Sequence, residues 1–354
     1  MLNSTDTINQ DHVTFTGDSK DYFSIWIVNL FLTIVTFGIY SAWAKVRNKR
    51  YFYGHTKVDG HNFEYLATPQ QVLKGRLFAL VLFGSYTIAG QLLPLLSIGL
   101  AIIMMLLSPW IICSAMRFNL RNTRYRNIRF DFHGTYKDAA QYFILLPLLG
   151  VLSLGFAYPW VLMKLDQFLK GHISYGGKRL AVHTKVKEYY SCVLLIFISI
   201  VTMAMFIGVF IYASSQILPA DIRDSSSLTL FKIVGLSIAS IYYLFLFVVP
   251  QSIYRARIRN YIYSNSHFEG LAHFKSNIKL SDDLWISITN ILAIVFSLGL
   301  AYPWAKIRMS RFLARCTTVE LDQNFDRSIE DVGQSGSAFG EEASDFFDID
   351  IAMN

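Results

Sequence analysis

Apolar residues run through this chain in long blocks, divided by short basic and alternating stretches. The blocks are Tyr22–Ala44, Leu77–Leu93, Leu95–Met116, Ala139–Met163, Tyr190–Ile217, Leu228–Val249 and Leu284–Ala305. Runs of about 18 or more mostly apolar residues are candidate membrane helices. The pattern predicts an all-α polytopic membrane protein.

Three blocks end in related phrases: "FGIYSAWAKVRNKRYF" at Phe37–Phe52, "LGFAYPWVLMKLDQF" at Leu154–Phe168 and "LGLAYPWAKIRMSRF" at Leu298–Phe312. Aligned on Gly38, Gly155 and Gly299, they lead to Trp43, Trp160 and Trp304, then to the bases Arg47, Lys164 and Arg308. Glycine and proline punctuate helices. Trp favours the membrane interface, and Lys/Arg beyond it the cytoplasmic side. Each phrase therefore reads as an apolar segment that breaks at its glycine, surfaces at its Trp and continues as a basic helix. Trp43, Lys45, Arg47, Trp160, Lys164, Trp304, Lys306, Arg308 and Arg311 are the expected interface and headgroup residues.

Alternating stretches with Asp59-Gly60 or Gly176-Gly177 between them follow the first two phrases, and these pairs signal tight β-hairpins. Small cytoplasmic β-hairpins are expected there. Internal repetition divides the chain into a polar tail 1–12, repeat units 13–129 and 130–265, a partial unit 266–318 and an acidic tail 319–354.

Seven full spans would place the basic loop after the fourth block, with Lys170, Lys178 and Arg179, outside, together with the loop after the sixth, with Arg255, Arg257 and Arg259. That opposes the positive-inside rule. Four full spans plus three re-entrant glycine-broken segments keep every basic loop, and both termini, cytoplasmic. The length of Tyr22–Ala44, 23 residues, is enough for one crossing and keeps seven spans open.

Composition agrees with a membrane location. The 354 residues are 53% hydrophobic and 16% charged, against about 25% charged in soluble proteins. The polar start lacks the pattern of a cleavable signal peptide. From Glu320 the tail carries ten acids and one base, and its Gly/Ser-rich "DVGQSGSAFGEEASD" reads as disordered. The rest holds 31 basic and 15 acidic residues. Such basic residues beside spans set topology and suit anionic lipids, not nucleic acid. Cys113, Cys192 and Cys316 fit neither a disulfide framework nor a zinc site.

The stretch "VTFTGDSKDYFSIWIVNLFLTIVTFGIYSAWAKVRNKRYFYGHTKVDGHNFEY", with the "AYPW" copies, resembles the YjgN-type family of bacterial inner-membrane proteins over roughly residues 13–315. The first copy departs from it with Ser41-Ala42-Trp43. The resemblance implies a multi-pass inner-membrane location and no particular activity.

Gly-x-Ser-x-Gly, HExxH and Walker A motifs are missing, so no enzyme is expected, and no cofactor or metal. His55, His61, His172 and His183 flank the hairpins, where a capping or headgroup role outweighs metal binding. The apolar blocks carry no Asp, Glu, Lys or Arg at their midpoints. Asn29 and Asn290 sit at equivalent positions, nine residues before their glycines. An Asn in hydrocarbon needs a partner, so the two are either interhelical glue or, with Gly38, Gly155 and Gly299, the lining of a membrane path. The leading expectation is a channel or transporter for a small solute or a lipid. The alternative is a non-transporting protein that organises anionic lipids or binds a cytoplasmic partner.

Overall fold

The structure is a computed structural model that describes residues 10–92, 94–217, 235, 237, 242, 244–323 and 325–327. The chain opens with β1 (Gln10–His12) and β2 (Thr14–Phe15). A helical hairpin follows, α1 (Ser19–Val35) and α2 (Ser41–Gly54), and then a β-hairpin, β3 (Thr56–Val58) and β4 (His61–Tyr65). The same order recurs along the chain. Helices α3 (Pro69–Leu92) and α4 (Pro94–Arg121) precede β5 (Thr123–Tyr125) and β6 (Ile128–Phe132). The next hairpin rises through α5 (Tyr136–Ala140), a π-helical turn (Gln141–Leu145) and α6 (Leu146–Leu152). It returns through α7 (Tyr158–Gly171) to β7 (Ile173–Tyr175) and β8 (Lys178–Val182).

Helix α8 (Val186–Ile217) opens the fourth hairpin. It returns through α9 (residues 244–254), a π-helical turn (Arg255–Arg259) and α10 (Asn260–Ser264). Strands β9 (Ser266–Phe268) and β10 (Ala272–Ser276) follow, then α11 (Leu280–Phe296), α12 (Tyr302–Arg315) and β11 (Thr317–Leu321).

The all-α expectation is overturned by the strands, which form one 11-stranded sheet in the order β1-β11-β10-β9-β8-β7-β6-β5-β4-β3-β2. Every pairing in it is antiparallel. The β-hairpins are not separate local features: each pairs with the next, Phe63 opposite Tyr125, Phe130 opposite Tyr175 and Leu180 opposite Phe268. The two outer members of the order, β1 and β2, are separated in the chain only by Val13, whose N–H donates to Thr317 O at 3.1 Å. One strand therefore pairs β11 with its first half and β3 with its second, so that among the described residues the two ends of the sheet order meet on one strand and the sheet curls into a barrel.

The tight turns follow local sequence. Asp59-Gly60, Arg126-Asn127 and Gly176-Gly177 all have both residues at positive φ, the type I′ pattern. Arg126-Asn127 is a turn that the glycine signal did not mark. Strand β1 takes residues from the expected N-terminal tail, and β11 takes Val319, Glu320 and Leu321 from the expected acidic tail. The tail from residue 328, most of Leu228–Val249 and the connection from residue 218 lie outside the described residues.

Among the described residues, three helices are long and apolar enough to cross a membrane: Pro69–Gln91, Leu95–Arg121 and Val186–Phe210. The glycine-broken segments are not continuous spans. Helix α1, at 17 residues, is about 25 Å long, and the chain then turns back. Both ends of the α1–α2 hairpin meet the barrel, because α1 leaves β2 and α2 enters β3, the strand paired with β2.

Candidate functional site

The three glycine phrases form one turn built three times. Phe37, Leu154 and Leu298 take positive φ at 50°, 54° and 52°, and Gly38, Gly155 and Gly299 follow at 91°, 88° and 93°. The glycine N–H groups reach back to Thr33, Gly150 and Ile294 carbonyls at 2.8, 2.9 and 2.7 Å, a Schellman closure of the rising helix. Thr36 Oγ1, Ser153 Oγ and Ser297 Oγ then accept the N–H of Tyr40, Ala157 and Ala301, capping the returning helix. A non-glycine residue in the left-handed region costs about 1–2 kcal/mol. Here it holds an apolar side chain at the tip, 98%, 88% and 94% exposed at Phe37, Leu154 and Leu298.

Asn29 and Asn290 lie lower on the same hairpins, buried between the arms. Asn29 Nδ2 donates to Asn48 Oδ1 across the first hairpin at 3.2 Å. Asn290 Nδ2 donates to Ala305 O at 3.2 Å, and its Oδ1 accepts from Arg308 at 3.0 Å. Each ties an ascending helix to its returning partner, and neither lines the barrel interior.

The basic residues divide by task. Lys45 and Arg47 are exposed. Lys164 reaches Gln167 at 3.1 Å, Trp160 packs on a core around Met163 and Tyr189, and Trp43 stacks on Tyr40. Lys306 reaches Tyr22 OH at 3.3 Å and lies over the Phe52 ring, joining the last hairpin to the first, and burial pushes its ammonium pKa down. Arg308 binds Thr289 and Asn290 and covers Trp304.

Arg311 belongs to a set of five. Counting back five residues from the helix C-caps His55, Asn122, His172, Asn265 and Cys316 gives Arg50, Arg117, Gln167, Asn260 and Arg311. Each donates to the point where a strand leaves the barrel: Ala67 O at 3.0 Å, Gly134 O at 3.2 Å, Thr184 Oγ1 at 2.8 Å, Ile278 O at 2.9 Å and Gly17 O at 2.7 Å. The five cap carbonyls accept N–H groups from Thr16, Leu66, His133, His183 and Asn277 at 2.8–3.0 Å. Every returning helix thus ties the start of its own hairpin through the cap carbonyl and the start of the next through the side chain, and the last side chain reaches the first hairpin. His55 and His172 are caps, their Nδ1 atoms 2.7 and 2.9 Å from Tyr51 O and Phe168 O. Among the described residues, no His, Cys, Asp or Glu cluster is grouped to hold a metal.

The barrel interior is a chamber of about 600 Å³. Phe63, Phe130, Phe268 and Phe274 from the strands and Leu120, Leu313 and Ala314 from the helix ends line it, with Arg259 and Thr123 among its few polar groups. At the turn end Tyr125, Tyr175, Leu271 and Phe325 are buried together. Tyr125 OH donates to Val58 O at 2.8 Å and Tyr175 OH to Tyr125 O at 3.0 Å, pinning this plug. Arg126 pairs with both Asp59 and Asp326 and covers Phe325, fastening the end of the described chain beneath the barrel. Sequence reasoning missed the chamber because its walls come from every β-hairpin. The signal available was aromatic alternation in "NFEY", "IRFDF" and "AHFKS".

Comparison with known proteins places these features in a family. Residues 10–346 match the model described as "Bacterial protein of unknown function (DUF898)", a span that takes in much of the acidic tail. Curated relatives named "Inner membrane protein YjgN" are 25% identical. The one from Escherichia coli O157:H7 aligns over 90% of both chains, and the one from Salmonella typhimurium over 91% of both. No solved structure matches. With the family match running nearly end to end, the chain belongs to the DUF898 family of bacterial proteins.

Proposed function

We propose that this is an inner-membrane protein that takes the apolar part of a lipid from the cytoplasmic leaflet into the barrel chamber, as a binding protein and not an enzyme. The observation that carries the reading is the apolar chamber of about 600 Å³, a size within the roughly 300–1,000 Å³ of small-molecule sites. Phenylalanine and leucine walls suit a hydrocarbon chain better than a hydrated solute. The buried tyrosine plug at the turn end favours a dead-end binding chamber over a conducting pore.

The setting supports the same reading. The relatives are named inner membrane proteins. The exposed tips of the glycine hairpins suit insertion into hydrocarbon from the side of the barrel, as re-entrant segments. The barrel and the basic returning helices then lie on the cytoplasmic face, in line with the positive-inside rule.

The test is native mass spectrometry of protein extracted from its own membrane in mild detergent. Wild type is expected to carry a lipid adduct, and Ala314→Phe, which puts a ring into the chamber, to lose it while keeping its thermal transition. A wild type without lipid sinks the proposal. An adduct retained by Ala314→Phe moves the site out of the chamber.

A further inference from the structure

Helix α12 has a second face. Ser310, Leu313 and Ala314 look into the chamber, whereas Trp304, Arg308, Arg311 and Arg315 border a separate outer cavity of about 480 Å³. Helix α11 supplies Asp282 and Trp285 to this groove, and Ser19 at the start of α1 closes its far side. Three guanidinium groups therefore face one acid of the groove. Asp282 is a first-turn acid whose counterparts in the other glycine hairpins are Asp21 and Asp138, so helix-end electrostatics explains it.

Two of the arginines are held in place. Arg308 Nη1 donates to Thr289 Oγ1 at 2.6 Å and Asn290 Oδ1 at 3.0 Å. Arg311 Nη2 donates to Gly17 O at 2.7 Å and lies 3.7 Å from Asp18 Oδ1. A guanidinium carries five donors, so each keeps donors for a ligand. Arg315 is exposed and makes no hydrogen bond or ion pair among the described residues.

The groove sets this hairpin apart from its siblings. Aligned on the glycines, Trp285 stands where the others have Ser24 and Gln141, and Arg315 where they have Gly54 and Gly171. The order along α12 also matches membrane depth. The apolar tip at Leu298 comes first, exposed Trp304 next, then Arg308, Arg311 and Arg315 one turn apart toward the barrel. Hydrocarbon, interface and headgroup layers follow in that sequence.

We propose that this groove binds the phosphate of an anionic phospholipid headgroup, with Arg308, Arg311 and Arg315 as its donors and Trp285 and Trp304 flanking the glycerol region. Arginine forks match phosphate oxygens, and Trp suits the interface. The site is separate from the chamber and does not depend on what fills it.

The full chain in detergent, titrated with phosphatidylglycerol or phosphatidylcholine and read by native mass spectrometry, tests the assignment. Phosphatidylglycerol is expected to bind wild type more tightly than phosphatidylcholine. Arg315→Gln is expected to weaken it about fivefold, the factor one surface charge carries against an anionic lipid. Arg129→Gln, an exposed arginine on β6, is expected to leave that affinity unchanged. Equal binding of the two lipids, or equal loss in Arg315→Gln and Arg129→Gln, overturns the site. Displacement of phosphatidylglycerol by inorganic phosphate at comparable concentration reassigns the groove to a free anion and overturns the headgroup proposal.

Discussion

Arg117 separates two explanations of the basic residues in this chain. If it serves as a topology charge, Lys replaces it without effect, since either cation obeys the positive-inside rule. In the structure it is a clamp: Nε donates to Phe132 O at 3.4 Å and Nη2 to Gly134 O at 3.2 Å, holding the exit of β6 against α4. The acceptors are fixed in position, because a Cβ at Gly134 would strike the rings of Phe132 and Phe168. Hydrogen bonds from a charged donor contribute about 1.5–3 kcal/mol each, and these two, at the long end of the distance range, bring about 2 kcal/mol together. Lys has no fork to reach both carbonyls. Arg117→Lys is therefore expected to lose nearly as much as Arg117→Ala, seen as a lower thermal midpoint in detergent micelles. A Lys variant that melts with wild type refutes the clamp.

Other consequences follow from the same geometry. Nitroxide labels at Phe37→Cys, Leu154→Cys and Leu298→Cys in lipid vesicles should respond to oxygen and resist a water-soluble relaxation agent, while one at Lys57→Cys does the reverse; aqueous exposure at all four removes the tips from the bilayer. Asp131 is raised by burial but lowered more by Arg121 and the Phe132 N–H, so its pKa lies below 3.8 when folded. Its stabilising contribution is present above the unfolded value and lost as pH falls through the folded one, so Asp131→Asn should flatten the acid limb of a stability profile below about pH 4. Arg126→Ala should release the segment around Phe325 from beneath the barrel, read as faster proteolytic trimming of the C-terminus; unchanged trimming would mean that Phe325 packing alone holds it.

The three-fold phrase, the places where helices break and the two glycine-marked tight turns were legible because each is written in neighbouring residues. Thr36-Phe37-Gly38, Ser153-Leu154-Gly155 and Ser297-Leu298-Gly299 contain the whole turn: hydroxyl cap, left-handed apolar tip and glycine closure. Asp59-Gly60 and Gly176-Gly177 likewise specify their hairpins without help from the rest of the chain. Asn29 and Asn290 were legible as residues needing partners, but Asn48, Ala305 and Arg308 supply those partners only after the hairpin has folded back.

The barrel itself was decided by tertiary structure. A three-residue strand such as Thr56–Val58 has little meaning alone, and its hydrogen bonds are completed by its hairpin partner β4 on one side and by the N-terminal strand β2 on the other. Closure needs Gln10–Phe15 to meet β11 some 300 residues later, a pairing that no local pattern encodes. The same distance hid the role of Arg311, whose acceptor is Gly17. Composition and periodicity determined that the chain seeks apolar surroundings and where its helices turn. Only the closed ring of hairpins decided which basic residues clamp backbone and which face outward, because that choice depends on carbonyls brought from the next hairpin around the ring.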